Sequence, residues 1–334
     1  MANNAVSYLA IYLEPLARHL ERADVTDVYV NRPGEIWVET LGGQIERYDV
    51  SELSEALLGR LARQIASITH QGISRENPLL AASLPDGARV QVVAPPATRG
   101  PMALAIRKQV SANLSLTDYH SSGALDDVRP SHAQDSREAE LRKLYQAKDW
   151  IAFLGAAVRA RKTIIVSGGT SSGKTTFLNA LLREIDPAER LILIEDTPEL
   201  EIQNENAVGL IASRSALGEA SVTTDDLLLA SLRMRPDRII LGELRGVEAF
   251  SFLRAINTGH PGSLTTIHAD SPSRAIEQLA LMVLQSRTQL KREDVTAYVE
   301  SAVDVFVQLE RRDGRRRVSH IDWKGHEAEG SPIP

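Results

Sequence analysis

With 334 residues the chain is long for one hydrophobic core, so two domains are expected, and its 43% hydrophobic and 25% charged residues describe an ordinary globular composition with few aromatics, 4%. The absence of cysteine excludes disulfides and thiolate metal sites and agrees with a reducing compartment, and no run approaches the ~18 apolar residues of a membrane span. A formal charge of −6 argues against bulk attraction to nucleic acid or anionic lipid.

Residues 1–108 read as an α+β unit. A helix is predicted over residues 7–20 from its apolar spacing, and the N-terminus lacks the basic start and small-residue cleavage site of a secretory signal. Strands follow at 25–30 and 35–39, turned by Asn31-Arg32-Pro33-Gly34, then a helix over 53–68 and strands over 87–94 and 102–107. Residues 111–136 are polar, rich in Ser, Asp and His, and without clear periodicity. They suit an exposed interdomain linker, set at 109–148, although helical patterns begin at 137–146 and 149–160.

The second domain, 149–334, alternates strands with helices. A β-branched strand over 162–167 runs into a glycine-bounded turn, and Lys174 opens a helix with Phe177, Leu178, Leu181 and Leu182 at helical spacing. LILIED (191–196) and DRIILGEL (237–244) are apolar runs ending in acids, the pattern of buried parallel strands with chemistry at their C-terminal ends. Helices are predicted over 224–234 and 247–256 and a strand over 263–269. The tail reads as an antiparallel hairpin turning at Asp313-Gly314, with a frayed end over the last eight or so residues.

Strand, glycine-bounded loop and helix, in that order, form a nucleoside triphosphate site. The loop comprises Gly168, Gly169, Thr170, Ser171, Ser172 and Gly173, followed by Lys174, Thr175 and Thr176. Its backbone N–H groups point inward, the helix N-terminus adds partial positive charge, Lys174 reaches the β- and γ-phosphates, and the Thr175 hydroxyl is placed for Mg²⁺. Hydrolysis further needs a group that orients water. Glu195 and Asp196 end one apolar strand and Glu243 ends another. The usual second nucleotide motif has an Asp directly at the strand end, but Gly242 stands there, so the acid role falls on Glu243, with Glu195 or Asp196 holding metal-bound water.

His260 and His268 in TGHPGSLTTIHAD are spaced for neither a helical zinc pair nor another metal set. A His beside a γ-phosphate donates a hydrogen bond that hydrolysis removes, a role the surroundings of His268 favour over those of His260. Arg233, Arg235, Arg238 and Arg245 surround the Glu243 strand. The denser run of Arg311, Arg312, Arg315, Arg316 and Arg317 reads as solvating charge that discourages edge pairing, since no aromatics interleave it for nucleic acid.

Four blocks, SGGTSSGKTT, LILIEDTPEL, LRMRPDRIILGELRG and TGHPGSLTTIHAD, resemble in order the Walker A, Asp box, Walker B and His box of the bacterial secretion ATPases. The chain is most similar to the traffic ATPases of type IV secretion and conjugation, whose N-terminal domain is matched by NRPGEIWVE, NPLLAASLPDGARVQVVAPP and MALAIRK. The resemblance implies an ATP- and Mg²⁺-using RecA-like P-loop domain beside a smaller α+β domain. It implies a homohexameric ring on the cytoplasmic face of the inner membrane, docked on membrane components of the secretion machine. It also implies Lys174 and Thr175 on phosphates and Mg²⁺, Glu195 in the Asp box with a share of the metal, Glu243 as the Walker B acid and His268 near the γ-phosphate. Arg89 and Arg107 match basic residues that reach the nucleotide from the N-terminal domain. Ser171 departs from the Gly of many members, and the long linker suits a subgroup that exchanges domains between subunits. The paired Cys motif of type II secretion ATPases is absent. A type II secretion or pilus motor, a nucleic-acid motor and a nucleotide-gated scaffold are the alternatives.

Overall fold

The computed structural model describes residues 2–110, 115–126, 128, 136–213, 219–286 and 288–326. The expected frayed end, and much of the polar stretch read as linker, lie outside the described residues. Its first part comprises α1 (Ala2–Leu20), β1 (Val25–Val30), β2 (Glu35–Thr40), β3 (Ile45–Asp49), α2 (Glu55–Ile68), β4 (Leu79–Ser83), β5 (Arg89–Val93) and β6 (Ala103–Arg107). The strands form an antiparallel sheet in the order β3-β2-β1-β6-β5-β4. Ser54 starts α2 by accepting a hydrogen bond from the Leu57 amide at 3.3 Å. Leu58, Leu61 and Ile65 of α2 bury with Val28, Val30, Val90, Val92, Leu104 and Ile106 in the core of this unit. The α+β expectation for this region agrees with that architecture. The two outermost strands, β3 and β4, are additions to the sequence reading.

Two helices, α3 (Leu116–Ser121) and α4 (Ser136–Gln146), fall in the stretch read as linker. The second of them belongs physically to the C-terminal unit. Leu141 is buried in that unit's core, and the Tyr145 hydroxyl donates to the Ile321 carbonyl at 2.8 Å, its ring lying among those of Trp150, Phe153 and Trp323.

The C-terminal unit continues with α5 (Trp150–Arg159), β7 (Ile164–Gly168), α6 (Lys174–Leu182), β8 (Leu191–Glu195), β9 (Ala207–Ile211) and α7 (Thr224–Ser231). It is completed by β10 (Arg238–Leu244), α8 (Glu248–Asn257), β11 (Leu264–Ile267), α9 (Pro272–Gln285), α10 (Arg292–Ala302), β12 (Val305–Arg312) and β13 (Arg315–Trp323). Seven strands run in the order β13-β12-β7-β11-β10-β8-β9, all pairs parallel except β12 with β13. Apolar runs such as Leu191–Glu195 are fully buried, as parallel strands covered on both faces require. Helices α9 and α10, like β9, are additions to the reading. For α9 the signs were present: Ser271 caps it and Pro272 opens it. Among the described residues no helix is long and apolar enough to cross a membrane.

The two units meet along the free edge of β9. Between β5 and β6 the chain forms an antiparallel bridge, Thr98 opposite Leu210. The Arg99 amide donates to the Gly209 carbonyl, and the Ile211 amide donates to that of Ala97, each at 2.9 Å. An edge that would otherwise offer unpaired amides is thereby covered by the other unit. Beneath it, the fully buried Arg190 guanidinium stacks 4.1 Å from the Tyr29 ring centre and donates to Asn31 Oδ1 at 2.8 Å. Tyr29 donates to Glu39 at 2.6 Å, and Arg235 pairs with the same carboxylate at 2.6 Å. Burial lowers the Arg190 pKa to about 10, with the negative groups around it opposing the shift.

Candidate functional site

At the C-terminal ends of β7, β8, β10 and β11 lies a crevice of about 560 Å³, lined by the whole run from Thr170 to Thr176. Two backbone positions shape the loop. Gly173 has φ of 94° and Ser171 has φ of 60°, both in the left-handed region. At Gly168 a Cβ would meet the Ser172 hydroxyl and lie 2.9 Å from the Leu309 carbonyl oxygen of β12, so glycine is needed for close packing.

Like α8, α6 begins without a side-chain hydrogen bond to its first-turn amides. Side chains of Ser54, Asp149, Thr223 and Ser271 satisfy the first-turn amides of α2, α5, α7 and α9. Gly173 precedes α6 and supplies no such cap. The N-terminal amides of α6 open into the crevice, where their partial positive charge suits an anion, and Ser172 Oγ is buried without a hydrogen-bond partner beside them.

Lys174 folds back onto the loop, its ammonium donating to the carbonyls of Gly168 at 3.0 Å and Gly169 at 3.3 Å. Burial lowers its pKa; the Glu243 charge opposes this and Arg245 adds to it. The same ammonium lies 3.3 Å from His268 Nε2, and that nitrogen is 2.9 Å from Glu243 Oε1. Arg245 pairs with Glu243 and, at 2.9 Å, with Asp196. Lys174, His268, Glu243 and Asp196 are thus brought together, with Arg245 holding the two carboxylates. A Cβ at Gly242 would lie 3.2 Å from the Glu195 side chain, so this strand end is tight for a larger residue, and the acid that faces His268 is the next residue, Glu243.

Glu195 also lines the crevice, but its carboxylate is engaged elsewhere. One oxygen accepts from the Glu199 and Leu200 amides, each at 2.8 Å, and the other pairs with Arg99 from the N-terminal unit. Arg99 in turn donates to the Leu200 carbonyl at 2.7 Å, and burial lowers its own pKa.

Arg89 and Arg107 are not brought to this crevice. They line a separate cavity of about 340 Å³ with Leu232 and Arg233, and Arg107 faces Asp27 at 3.7 Å. Thr224 at the start of α7 lines the crevice and Leu232 just beyond its end lines the second cavity. The intervening eight-residue helix sets the two about 12 Å apart. His260 is a turn residue: its Nδ1 is 2.9 Å from the Pro236 carbonyl, which can only accept. Arg235 and Arg238 serve structure, the first on Glu39 and the second in a fully buried bidentate pair with Glu189 at 2.6 and 2.8 Å.

Residues that line the crevice but received no site role from the sequence include Thr197, Glu199, Thr224, Thr266 and Arg316. Nothing local distinguishes Arg316 within its arginine run. Only the pairing of β12 with β7, which sets Leu309 opposite Gly168, carries the hairpin over the loop.

The residues fit a nucleotide with a divalent cation. Mg²⁺ keeps several waters and takes few protein oxygens beside the substrate's phosphates, and Thr175, Glu243 and Asp196 offer such a sparse oxygen set. Among the described residues no cluster of three His, Cys, Asp or Glu side chains could hold a metal alone.

A family model described as type II/IV secretion system protein matches residues 12–319. The type IV secretion system protein VirB11 of Bartonella quintana is 38% identical over 336 aligned positions, 96% of this chain and 94% of the relative. The PtlH homolog of Bordetella bronchiseptica, also a type IV secretion system protein, is 41% identical over 97% of this chain and 96% of its own. Among solved structures, the VirB11 ATPase from the Brucella suis type IV secretion system, crystallised with sulphate, superposes with a TM-score of 0.89 at 39% identity, covering 95% of this chain and 98% of that one.

Proposed function

This chain belongs to the type II/IV secretion system protein family and has its RecA-like P-loop ATPase fold, and from that premise we propose that it hydrolyses Mg·ATP as a homohexameric motor of a type IV secretion or conjugation machine. The observation that carries the reading is the uncapped α6 N-terminus facing the Lys174–His268–Glu243 cluster. One end binds phosphate and the other holds an acid where the γ-phosphate would end.

In this reading the amides of Gly173 to Thr176 cradle the phosphate chain, and the Lys174 ammonium leaves the Gly168 and Gly169 carbonyls for the β- and γ-phosphates. Bound Mg²⁺ would neutralise charge on the phosphates, held by Thr175 with Glu243 and Asp196 at its water shell. Glu243 orients the attacking water and accepts its proton as the Pγ–O bond to the leaving ADP breaks. His268 lies 2.9 Å from Glu243 and donates a hydrogen bond to the γ-phosphate, so it registers whether that phosphate is present. The sequence reading gave Glu195 a share of the metal; its engagement with two amides and Arg99 supports instead a positioning role for the loop that follows β8.

Arg89 and Arg107 remain nucleotide ligands in this proposal, but as contributions of a neighbouring copy's N-terminal unit, because within one chain they face the other cavity. Such exchange requires an oligomer, in this proposal the hexameric ring, placed on the cytoplasmic face of the inner membrane beside its membrane partners. Phosphate release and the test of the ring are measured together: purified protein is assayed for ATP hydrolysis with its mass determined in Mg·ATP, beside Glu243→Gln. A hexamer that hydrolyses ATP, and a variant that binds ATP but turns over at least about a hundredfold more slowly, are expected. Undiminished turnover in the variant overturns the assignment of the acid, and a monomer overturns the ring.

A further inference from the structure

Among the described residues the crevice has one cation for which neither the Walker-type motifs nor the acid cluster gives a role, Arg316 of β13. Its approach to the phosphate loop is dictated by sheet register. β12 runs parallel to β7 and pairs Leu309 with Gly168, the first residue of the loop. The strand then continues past the end of β7, turns at Asp313-Gly314, and returns with Arg316 opposite Arg311. The overhang delivers the Arg316 stem onto the loop. A Cβ on Gly173 would lie 3.1 Å from Arg316 Cδ, so Gly173 serves both the left-handed backbone and the passage of this side chain. Alternation along the strand sends Arg315 and Arg317 to the opposite face of the hairpin. Arg316 is exposed, and among the described residues its guanidinium has no hydrogen bond or ion pair, whereas Arg245 across the crevice is bound to Glu243 and Asp196.

We infer that Arg316 is a nucleotide-binding residue that grips the phosphate chain at its α/β end. The strand order fixes which end. With β12 on one side of β7 and β11 then β10 on the other, the hairpin reaches the loop from one flank, while His268 after β11 and Glu243 on β10 stand on the other. Lys174, His268 and Glu243 mark the γ-phosphate end, and Arg316 lies against Gly173, where the loop turns into α6. A guanidinium there makes charge-assisted, bidentate hydrogen bonds to phosphate oxygens that ADP and ATP share. It fastens the nucleotide before and after hydrolysis without touching the reacting phosphorus.

The inference rests on the nucleotide reading above, and the test separates the two. ADP and ATP binding in Mg²⁺ are measured by titration calorimetry on the full chain, for wild type, Arg316→Ala, Arg316→Lys and Arg315→Ala, with steady-state hydrolysis alongside. Arg316→Ala is expected to weaken ADP and ATP by a similar factor of about ten and to raise KM by as much, with kcat within about twofold. Arg316→Lys keeps a point charge and recovers part of the loss, and Arg315→Ala, one residue away on the other face, binds as wild type. Unchanged ADP affinity in Arg316→Ala overturns the inference alone. An equal loss in Arg315→Ala overturns it too, since it reduces the effect to bulk charge, and so does a fall in kcat at unchanged ADP affinity. A wild-type protein that binds neither nucleotide removes the reading beneath it.

Discussion

The pairing of Arg99 with Glu195 ties the N-terminal unit to the strand end that borders the nucleotide crevice, and its energy is open to a double-mutant cycle. Glu195 is 5% exposed, so a carboxylate left there without its cation keeps only the Glu199 and Leu200 amides. Breaking a buried pair from one side costs about 3–5 kcal/mol. The two amide bonds survive and the Arg99 side chain is 19% exposed, which moves the expected cost toward about 3 kcal/mol, including the lost bond to the Leu200 carbonyl. Arg99→Met keeps the stem that packs on Gly209 and removes the charge. Glu195→Gln removes the opposite charge at constant shape, at about 2 kcal/mol. With both changes no buried ion remains, so the double variant should be less destabilised than the sum by at least about 1 kcal/mol. Urea unfolding followed by circular dichroism, with slopes checked for equality, measures all four proteins. Additivity within about 0.5 kcal/mol would show that the contact carries no energy, and the argument that it couples the two units would fall.

Two further expectations concern the loop and pH. Ser171→Gly removes a left-handed serine at φ of 60°; relief of about 1–2 kcal/mol outweighs glycine's larger unfolded entropy, so thermal unfolding should shift up by the equivalent of about 0.5–1 kcal/mol, and a fall in stability would refute the strain. His260 is held neutral: burial lowers its pKa below 6.5, with Arg235 adding to the effect while the Pro236 hydrogen bond and Asp237 oppose it. The unfolded chain therefore binds more protons between the folded pKa and about 6.5, so this contribution is complete above pH 6.5 and is lost as pH falls through that window. His260→Asn keeps a donor for the Pro236 carbonyl, and its stability relative to wild type should improve from pH 7 to 5.5; a pH-independent difference would remove His260 from the titration.

What was legible in the sequence had local causes. The phosphate loop announces itself because glycine, lysine and hydroxyl residues must stand at fixed offsets between a strand and a helix. The acids were found because apolar runs ending in carboxylates are uncommon outside parallel sheets. Long-range pairing hid the rest. Strand β3, with its half-exposed pattern IERYD, and β9, with a glycine in its middle, have little periodicity to detect. Gly209 in β9 is explained only by the Arg99 stem, since a Cβ there would lie 2.5 Å from Arg99 Cδ. Likewise the five tail arginines look alike until register singles out Arg316. Glu195 read as a metal acid because its strand end is right, and only the fold reveals which partners hold its oxygens.

These hidden contacts share a geometry that bears on how a motor of this kind transmits force. The phosphate loop follows the interior strand β7, and outside elements reach its surroundings from both edges of the sheet. On one edge, the loop between β5 and β6 hydrogen-bonds along β9 and places Arg99 on Glu195; on the other, β13 brings Arg316 across Gly173. The central strands are buried on both faces and interlocked, so they deform little, whereas each flanking contact rests on one arginine and a short run of backbone. Changes in phosphate occupancy registered at His268 and Glu243 would therefore reach the N-terminal unit through Arg99 on Glu195, while Arg316 holds the α/β end throughout. Arg99 belongs to a unit tied to the rest by Arg190 and Arg235, so displacement at Glu195 would be transmitted as tilting of the whole N-terminal sheet rather than bending of a loop.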